Sequence, residues 1–337
     1  MPAANQVIAL LAGHLDGDSE QVRTVALQIA AAEARQGHTK TAAAMKKLLD
    51  RPRSPNERAI PTAVEGATLL AKPRGDLGEL VTVTSPKARV SEMTLTPQVR
   101  ERLDRMVRQQ ASRGRLREHG LRPSSKILLV GPPGSGKTLT ASALAGDLNL
   151  PLFTIRLDAV ITRYLGESAT KLRAVFDQIA QMRGVYLFDE FDAIGGKRSA
   201  GNDVGEVRRI LNSFLQFLEE PNATDSVIVA ATNHPEILDR ALIRRFDEII
   251  EYGLPDEAGV RDIVKRRLGA LAGRSMKWEL IGEAAHGLSH GEVSRAVEEA
   301  LREAILDDRK TVDQSSLMAA LDARRSMREV MADIFTE

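Results

Sequence analysis

A lysine and a hydroxyl group follow a run of glycines in the segment GPPGSGKT, residues 131–138. The segment matches the pattern G-x-x-x-x-G-K-[ST], between the apolar run KILLV and the helical pattern LTASALAGDL. Glycines let successive backbone N–H groups turn inward around phosphate oxygens, and the start of the following helix adds positive charge. The ammonium of Lys137 would neutralise the β- and γ-phosphates of a nucleotide, and the hydroxyl of Thr138 would bind Mg²⁺. The segment therefore predicts a site for ATP and Mg²⁺. The residues predicted to contact the nucleotide here are Pro133, Gly134, Ser135, Gly136, Lys137, Thr138 and Leu139.

Two adjacent carboxylates, Asp189 and Glu190, follow the apolar run GVYLF. Because consecutive strand residues point to opposite sides, we expect the two to have different roles. Asp189 is predicted to face the metal together with Thr138, and Glu190 to accept a proton from the attacking water. The neutral amide of Asn233, after the run SVIVAAT, could orient the same water. These residue types predict hydrolysis of a phosphoanhydride.

The elements that must position these side chains alternate between apolar strands and helical stretches. The predicted strands are KILLV (126–130), LFTIRL (152–157), GVYLF (184–188), SVIVAAT (226–232) and EIIEY (248–252). Such alternation predicts a parallel sheet covered by helices on both faces. Beyond Pro255 only helical patterns remain, with Ser289 and Glu292 forming a capping box. The predicted fold class is α/β, a three-layer P-loop domain with a C-terminal helical lid.

Two Ala-rich helical patterns near the N-terminus, separated by Gly37 and His38, predict a small helical hairpin that docks a partner or substrate. Five of the fourteen prolines fall between Pro52 and Pro86, which indicates a linker. The predicted organisation is a docking domain (1–50), a Pro-rich linker (51–90), a large α/β subdomain (91–253), a helical lid (254–325) and a tail (326–337).

Composition excludes several classes of function. The 337 residues include no cysteine, so disulfide frameworks, thiolate metal sites and cysteine nucleophiles are excluded. The formal charge of +1 provides no global attraction to nucleic acid or membrane. No apolar stretch has the length of a membrane span and the N-terminus lacks the basic region of a signal peptide, so we expect a soluble, cytoplasmic protein with no membrane partner.

From about residue 90 to 325 the chain resembles the AAA family of AAA+ ATPases. GPPGSGKT resembles the Walker A motif, VYLFDEFDAIGGKR the Walker B motif, and ATNHPEILDRALIRRFDEII the second region of homology. The resemblance implies that Asn233 is the sensor 1 residue and that Arg244 and Arg245 act on the nucleotide of a neighbouring subunit. The two arginines are adjacent here, whereas Pro-Gly usually separates them. Which of the two acts on the neighbouring nucleotide therefore stays open. His286 resembles the lid residue that touches the ribose.

The segment TRYLGESATKLRAVF (162–176) resembles a pore-loop segment that grips an extended polypeptide inside a hexameric ring. Tyr164 and Leu165 match its aromatic and aliphatic positions. An aromatic side chain on a mobile loop contacts any peptide through apolar area, so such a grip tolerates many sequences. The resemblance implies a homo-oligomeric ring, a hexamer, that remodels or unfolds a protein partner.

Two alternatives stay open at this stage. A nucleic-acid remodeller or loader would use the basic stretch from Arg100 to Lys126, which holds nine basic and three acidic residues but no aromatic side chain. A nucleotide-gated scaffold would assemble with a separately encoded effector without threading it. A fused zinc protease is not expected, since no H-E-x-x-H motif is present.

Overall fold

The computed structural model describes residues 77–161, 167–195, 204–238, 240–273 and 276–334. Its strands are β1 Val81–Thr84, β2 Lys126–Val130, β3 Leu152–Ile155, β4 Val185–Phe188, β5 Val227–Thr232 and β6 Glu248–Glu251. The first helices are α1 Leu77–Leu80, α2 Pro97–Ala111, α3 Arg113–Glu118, α4 Lys137–Leu148, α5 Leu157–Val160 and α6 Glu167–Gln181. The later helices are α7 Asp192–Gly195, α8 Val204–Glu219, α9 Arg240–Ile243, α10 Glu257–Leu268, α11 Trp278–Ala284, α12 His290–Leu306 and α13 Gln314–Ile334.

The strands form one six-stranded sheet in the order β1-β3-β4-β5-β2-β6. All neighbouring strands are parallel except β1, which pairs antiparallel with β3. The α/β fold with a mostly parallel sheet is therefore confirmed. Each predicted strand is present within two residues of its predicted ends, and β5 lies between the strands that precede the phosphate loop and Asp189.

Both faces of the sheet are buried because nearly all residues of its central strands β2, β4 and β5 are apolar. Leu128 and Val130 of β2 face a cluster that includes α6 and α8, whereas Ile127 and Leu129 face α2 and α4 on the other side. Successive strand residues point to opposite faces, so such a strand packs only between two helical layers. The result is the predicted three-layer domain, which holds the carboxyl ends of β2, β4 and β5 at one edge.

Helices α10 to α13 form a lid with its own apolar core, which includes Val264, Ile281, Val297 and Leu317. The capping box predicted at the start of α12 is present, with Ser289 accepting from the N–H of Glu292 at 3.3 Å. No helix among the described residues is long and apolar enough to cross a membrane.

Two predicted boundaries differ from the structure. The linker was expected to reach residue 90, but α1 and β1 already belong to the large subdomain, with Leu80 and Val81 only 2% and 4% exposed. The sequence did not predict the short β1, because it lies among prolines and pairs with β3, which lies far along the chain. The tail expected from residue 326 is instead helical to Ile334, because SMREVMADI contains no proline or glycine to end α13. The predicted docking domain (1–50) and residues 51–76 lie outside the described residues.

Candidate functional site

The phosphate loop, residues 131–138, turns sharply between β2 and α4. Gly131, Gly134 and Gly136 have φ angles of 147°, 74° and 103°, values that other residues rarely adopt. A Cβ atom on Gly131 would lie 2.5 Å from the carbonyl oxygen of Tyr252, so packing as well as backbone conformation requires glycine there. The loop therefore keeps the path of its backbone, with N–H groups available to a ligand.

Lys137 begins α4 and points its ammonium into this loop. The residue is 7% exposed, and its Nζ donates to Gly131 O at 2.8 Å, Pro132 O at 2.9 Å and Asn233 Oδ1 at 2.7 Å. Burial lowers the pKa of Lys137, an effect that the nearby Asp189 opposes. The three close acceptors are uncharged, so a phosphate group would be a stronger partner for this ammonium.

Thr138 and Asp189 meet at the end of β4, where the Thr138 Oγ1 donates to Asp189 Oδ2 at 2.7 Å. Two hard oxygen atoms at one point suit Mg²⁺, which is usually held by one or two protein ligands together with substrate phosphates and waters. Within the described part of the chain, no group of three or more His, Asp or Glu side chains could hold a metal alone. The donor set thus fits a metal that arrives with a nucleotide.

Glu190 lies in a left-handed conformation with φ of 51°, outside β4, which ends at Phe188. Its N–H donates to Asp189 Oδ1 at 3.0 Å, and the next residue, Phe191, donates its N–H to Ala231 O at 2.8 Å. A tight turn, rather than the alternation of a strand, therefore separates the two carboxylates. The Glu190 side chain is exposed, as a residue that acts on water requires.

The lid reaches the phosphate loop through the start of α12. Gly291 donates its N–H to Gly134 O at 2.8 Å, and a Cβ atom on Gly134 would lie 2.7 Å from Ser289 Oγ. His286, predicted to touch the ribose, lies exposed on the preceding turn. The sequence identified Ser289 only as a helix cap, because nothing in its local pattern shows which loop the helix meets.

A second link to the lid was not predicted. The Tyr252 hydroxyl, after β6, lies 2.6 Å from Thr140 Oγ1 in α4, and Tyr252 is 5% exposed. Burial raises the pKa of Tyr252 to about 12. The contact joins the phosphate-loop helix to the segment that leads into the lid.

Arg244 and Arg245 lie exposed between α9 and β6, at the opposite edge of the sheet. Asp247, two residues later, accepts from the N–H groups of Ser125 and Lys126, at the beginning of β2. The phosphate loop follows the other end of β2, and five strand residues span roughly 17 Å. Neither arginine is therefore close to the phosphate loop of its own chain. Arg245 forms an ion pair with Glu219 at the end of α8.

The basic stretch from Arg100 to Lys126 is partly explained by internal contacts. Arg100 donates to Val90 O and Met93 O, Arg102 to Ile249 O, and Arg117 pairs with the buried Asp225 at 2.6 Å. These arginines join α2 and α3 to the rest of the domain, so the excess of charge by itself does not indicate nucleic acid.

Tyr164 and Leu165 of the predicted pore loop lie outside the described residues, and their role stays a prediction. Asp192 and Thr232 were not predicted as site residues, although Asp192 is the third acid of the DEFD segment. Thr232 Oγ1 donates to Asp192 Oδ1 at 3.1 Å, between the loops that hold Glu190 and Asn233.

Comparison with known proteins agrees with this geometry. The family model described as "ATPase family associated with various cellular activities (AAA)" matches residues 127–254. The chain is 32% identical over 311 residues to the uncharacterized AAA family ATPase y4kL of Sinorhizobium fredii, covering 92% of both chains.

Other relatives match a smaller part of the chain. The chain is 36% identical over 211 residues to the proteasome-activating nucleotidase of Methanothermobacter thermautotrophicus, covering 60% of this chain and 51% of that protein. It is 35% identical over 211 residues to the ATP-dependent zinc metalloprotease FtsH 4 of Sphaerobacter thermophilus, covering 60% of this chain and 32% of the relative. It thus spans about half the length of the nucleotidase.

Because the similarity to y4kL covers 92% of both chains, the chain belongs to the AAA family and is an ATP hydrolase.

Proposed function

We propose that this ATPase forms a homo-oligomeric ring, a hexamer, and uses Mg²⁺ and ATP to remodel or unfold a protein partner. The observation that carries the proposal is the position of Arg244 and Arg245, a strand length away from the phosphate loop of their own chain. If either arginine stabilises a transferred phosphoryl group, that group belongs to the nucleotide of a second copy, where such residues contribute roughly 10³ to 10⁵ in rate.

The chemistry of hydrolysis is assigned to the residues at the carboxyl edge of the sheet. In the proposal, Lys137 leaves its uncharged acceptors to bind the β- and γ-phosphates. Thr138 and Asp189 would hold Mg²⁺, which when bound would neutralise charge on the phosphate oxygens. The carboxylate of Glu190 accepts the proton of the attacking water, and the amide of Asn233 orients that water.

The acting arginine is assigned to Arg244. The ion pair between Arg245 and Glu219 occupies the Arg245 guanidinium within its own subunit. Arg244 is exposed at the adjacent position, so its guanidinium is the one available to a neighbouring nucleotide.

A protein substrate is supported by the relatives, one named for activating the proteasome and another named an ATP-dependent metalloprotease. In the proposal, Tyr164 and Leu165 grip the polypeptide in the pore, and residues 1–50 recruit it. A cytoplasmic location stays a prediction of the sequence.

The proposal is tested with Glu190→Gln, which should bind ATP but hydrolyse it about 10²- to 10⁴-fold more slowly. With Mg²⁺ and ATP, light scattering should detect a stable ring, and affinity capture should recover a trapped protein. Lys137→Met provides the matched control in which nucleotide binding is weakened. A Glu190→Gln protein that stays monomeric and captures nothing would contradict the ring remodeller.

Tyr164→Ala then separates a threading enzyme from a nucleotide-gated scaffold. A threading enzyme should lose substrate processing and keep basal ATP hydrolysis, whereas Tyr164→Phe should keep both. Normal processing of the captured protein by Tyr164→Ala would exclude the pore-loop grip.

A further inference from the structure

A hydrogen-bonded chain joins α7 to the end of β5, beside the hydrolytic residues. The Thr232 side chain is fully buried, and its hydroxyl donates to Asp192 Oδ1 at 3.1 Å. The Thr232 Oγ1 also accepts from the N–H of His234 at 3.0 Å. A threonine hydroxyl has one hydrogen to donate, so this geometry commits that hydrogen to Asp192.

These hydrogen bonds enclose the loop that holds Asn233. The Thr232 side chain and the His234 N–H flank Asn233 on both sides, an arrangement that holds the backbone of a short turn. The Asn233 side chain in turn accepts from Lys137 Nζ at 2.7 Å, inside the phosphate loop. The position of the Asn233 amide therefore depends on the Thr232 hydroxyl.

Asp192, at the other end of this series of hydrogen bonds, follows the turn that holds Glu190. Glu190 has a φ of 51°, a left-handed conformation that is unfavourable for a non-glycine residue and needs support from its surroundings. Two contacts join this turn to β5: the Phe191 N–H to Ala231 O at 2.8 Å, and the Asp192–Thr232 hydrogen bond. One hydroxyl thus connects the turn of Glu190 with the loop of Asn233.

We propose that Asp192 and Thr232 are positioning residues for ATP hydrolysis, and that their hydrogen bond sets the spacing between Glu190 and Asn233. Neither residue acts on the nucleotide directly. The inference rests on the roles proposed for Glu190 and Asn233, and it predicts a loss of turnover without a loss of nucleotide binding.

The main test compares Thr232→Val, which removes the hydroxyl, with Thr232→Ser, which keeps it. Thr232→Val should lower kcat about 10- to 100-fold and leave the Kd for ATP within threefold, since small misplacements of reacting groups reduce rate strongly. Thr232→Ser should keep kcat within threefold. Thr224→Val is the matched control, because the Thr224 hydroxyl donates to Ile179 O at 2.8 Å at the opposite edge of the sheet. It should leave kcat unchanged.

Substitutions of Asp192 separate the hydrogen bond from the charge, since Asp192 also raises the pKa of Lys137 against the effect of burial. Asp192→Asn keeps an oxygen that can accept from Thr232 and should keep kcat within about threefold. Asp192→Ala should reduce kcat as much as Thr232→Val does. Equal losses in Asp192→Asn and Asp192→Ala would assign the effect to charge and overturn the proposal.

A double-mutant cycle with Asn233→Ala completes the test. If Thr232 acts through Asn233, Thr232→Val should reduce kcat by less than threefold in the Asn233→Ala background. Full additivity, or a kcat of Thr232→Val within twofold of the parent, would overturn the inference. Melting curves of each variant identify any loss of folding, and the comparison of Asp192→Ala with Asp192→Asn keeps the test valid if Thr232→Val unfolds. Normal turnover by Glu190→Gln and Asn233→Ala would instead contradict the roles on which the inference rests.

Discussion

Replacement of Lys137 by methionine tests the phosphate loop most directly. Lys137 is 7% exposed and its ammonium lies within 2.7–2.9 Å of three uncharged acceptors, so it is placed to donate to phosphate oxygens once a nucleotide enters. Hydrogen bonds to charged groups contribute about 1.5–3 kcal/mol each. The loss of two such bonds therefore weakens binding by about 3–6 kcal/mol, which corresponds to roughly 10²- to 10⁴-fold in Kd.

The assay is an equilibrium titration of the nucleotide-free protein with a fluorescent ATP analogue and Mg²⁺, with a melting curve for each variant. Lys171→Met is the matched control, because Lys171 Nζ also donates to a backbone carbonyl, that of Ala159 at 3.2 Å, away from the phosphate loop. It should bind the analogue like the parent. Lys137→Arg should not restore binding, since a planar guanidinium does not fit a site made for a compact ammonium. A folded Lys137→Met protein with a Kd within threefold of the parent would refute the reasoning.

Two further predictions concern the arginine pair and the link to the lid. Arg244→Ala should reduce kcat about 10³-fold or more in the assembled protein, whereas Arg245→Ala should cost only the exposed ion pair with Glu219, about 0–1 kcal/mol of folding free energy. Steady-state ATPase assays and melting curves distinguish them, and the reverse order of kcat values would assign the role to Arg245. The pKa of Tyr252 is about 12 in the folded state, against a usual value of 10, so Tyr252 of the unfolded chain ionises first as the pH rises. The free energy of unfolding should therefore fall between pH 10 and 12, by up to about 3 kcal/mol. Tyr252→Phe, which leaves Thr140 without this partner, should lower stability at pH 8 and show a smaller loss over that pH range in urea unfolding; an unchanged pH dependence would contradict this origin.

Local patterns in the sequence predicted the elements and the chemistry that depends on near neighbours. The capping box at Ser289, whose side chain accepts from the Glu292 N–H at 3.3 Å, follows from residue types a few positions apart. The phosphate loop is equally local, because glycines, lysine and threonine within eight residues specify its backbone and its charge. The strands were found for the same reason, since continuous apolar runs predict burial on both faces.

The tertiary structure decided which strands and side chains lie next to one another. β1 was missed because its four residues gain stability only by pairing with β3, about 70 residues later. The strand order brings Asp189 to Thr138 and Asn233 to Lys137, and it places Arg244 at the opposite edge of the sheet. The bond between Thr232 and Asp192 likewise depends on the pairing of β4 with β5, which no local period encodes. Residue spacing thus determines the chemical groups, whereas strand register and packing determine which of them meet.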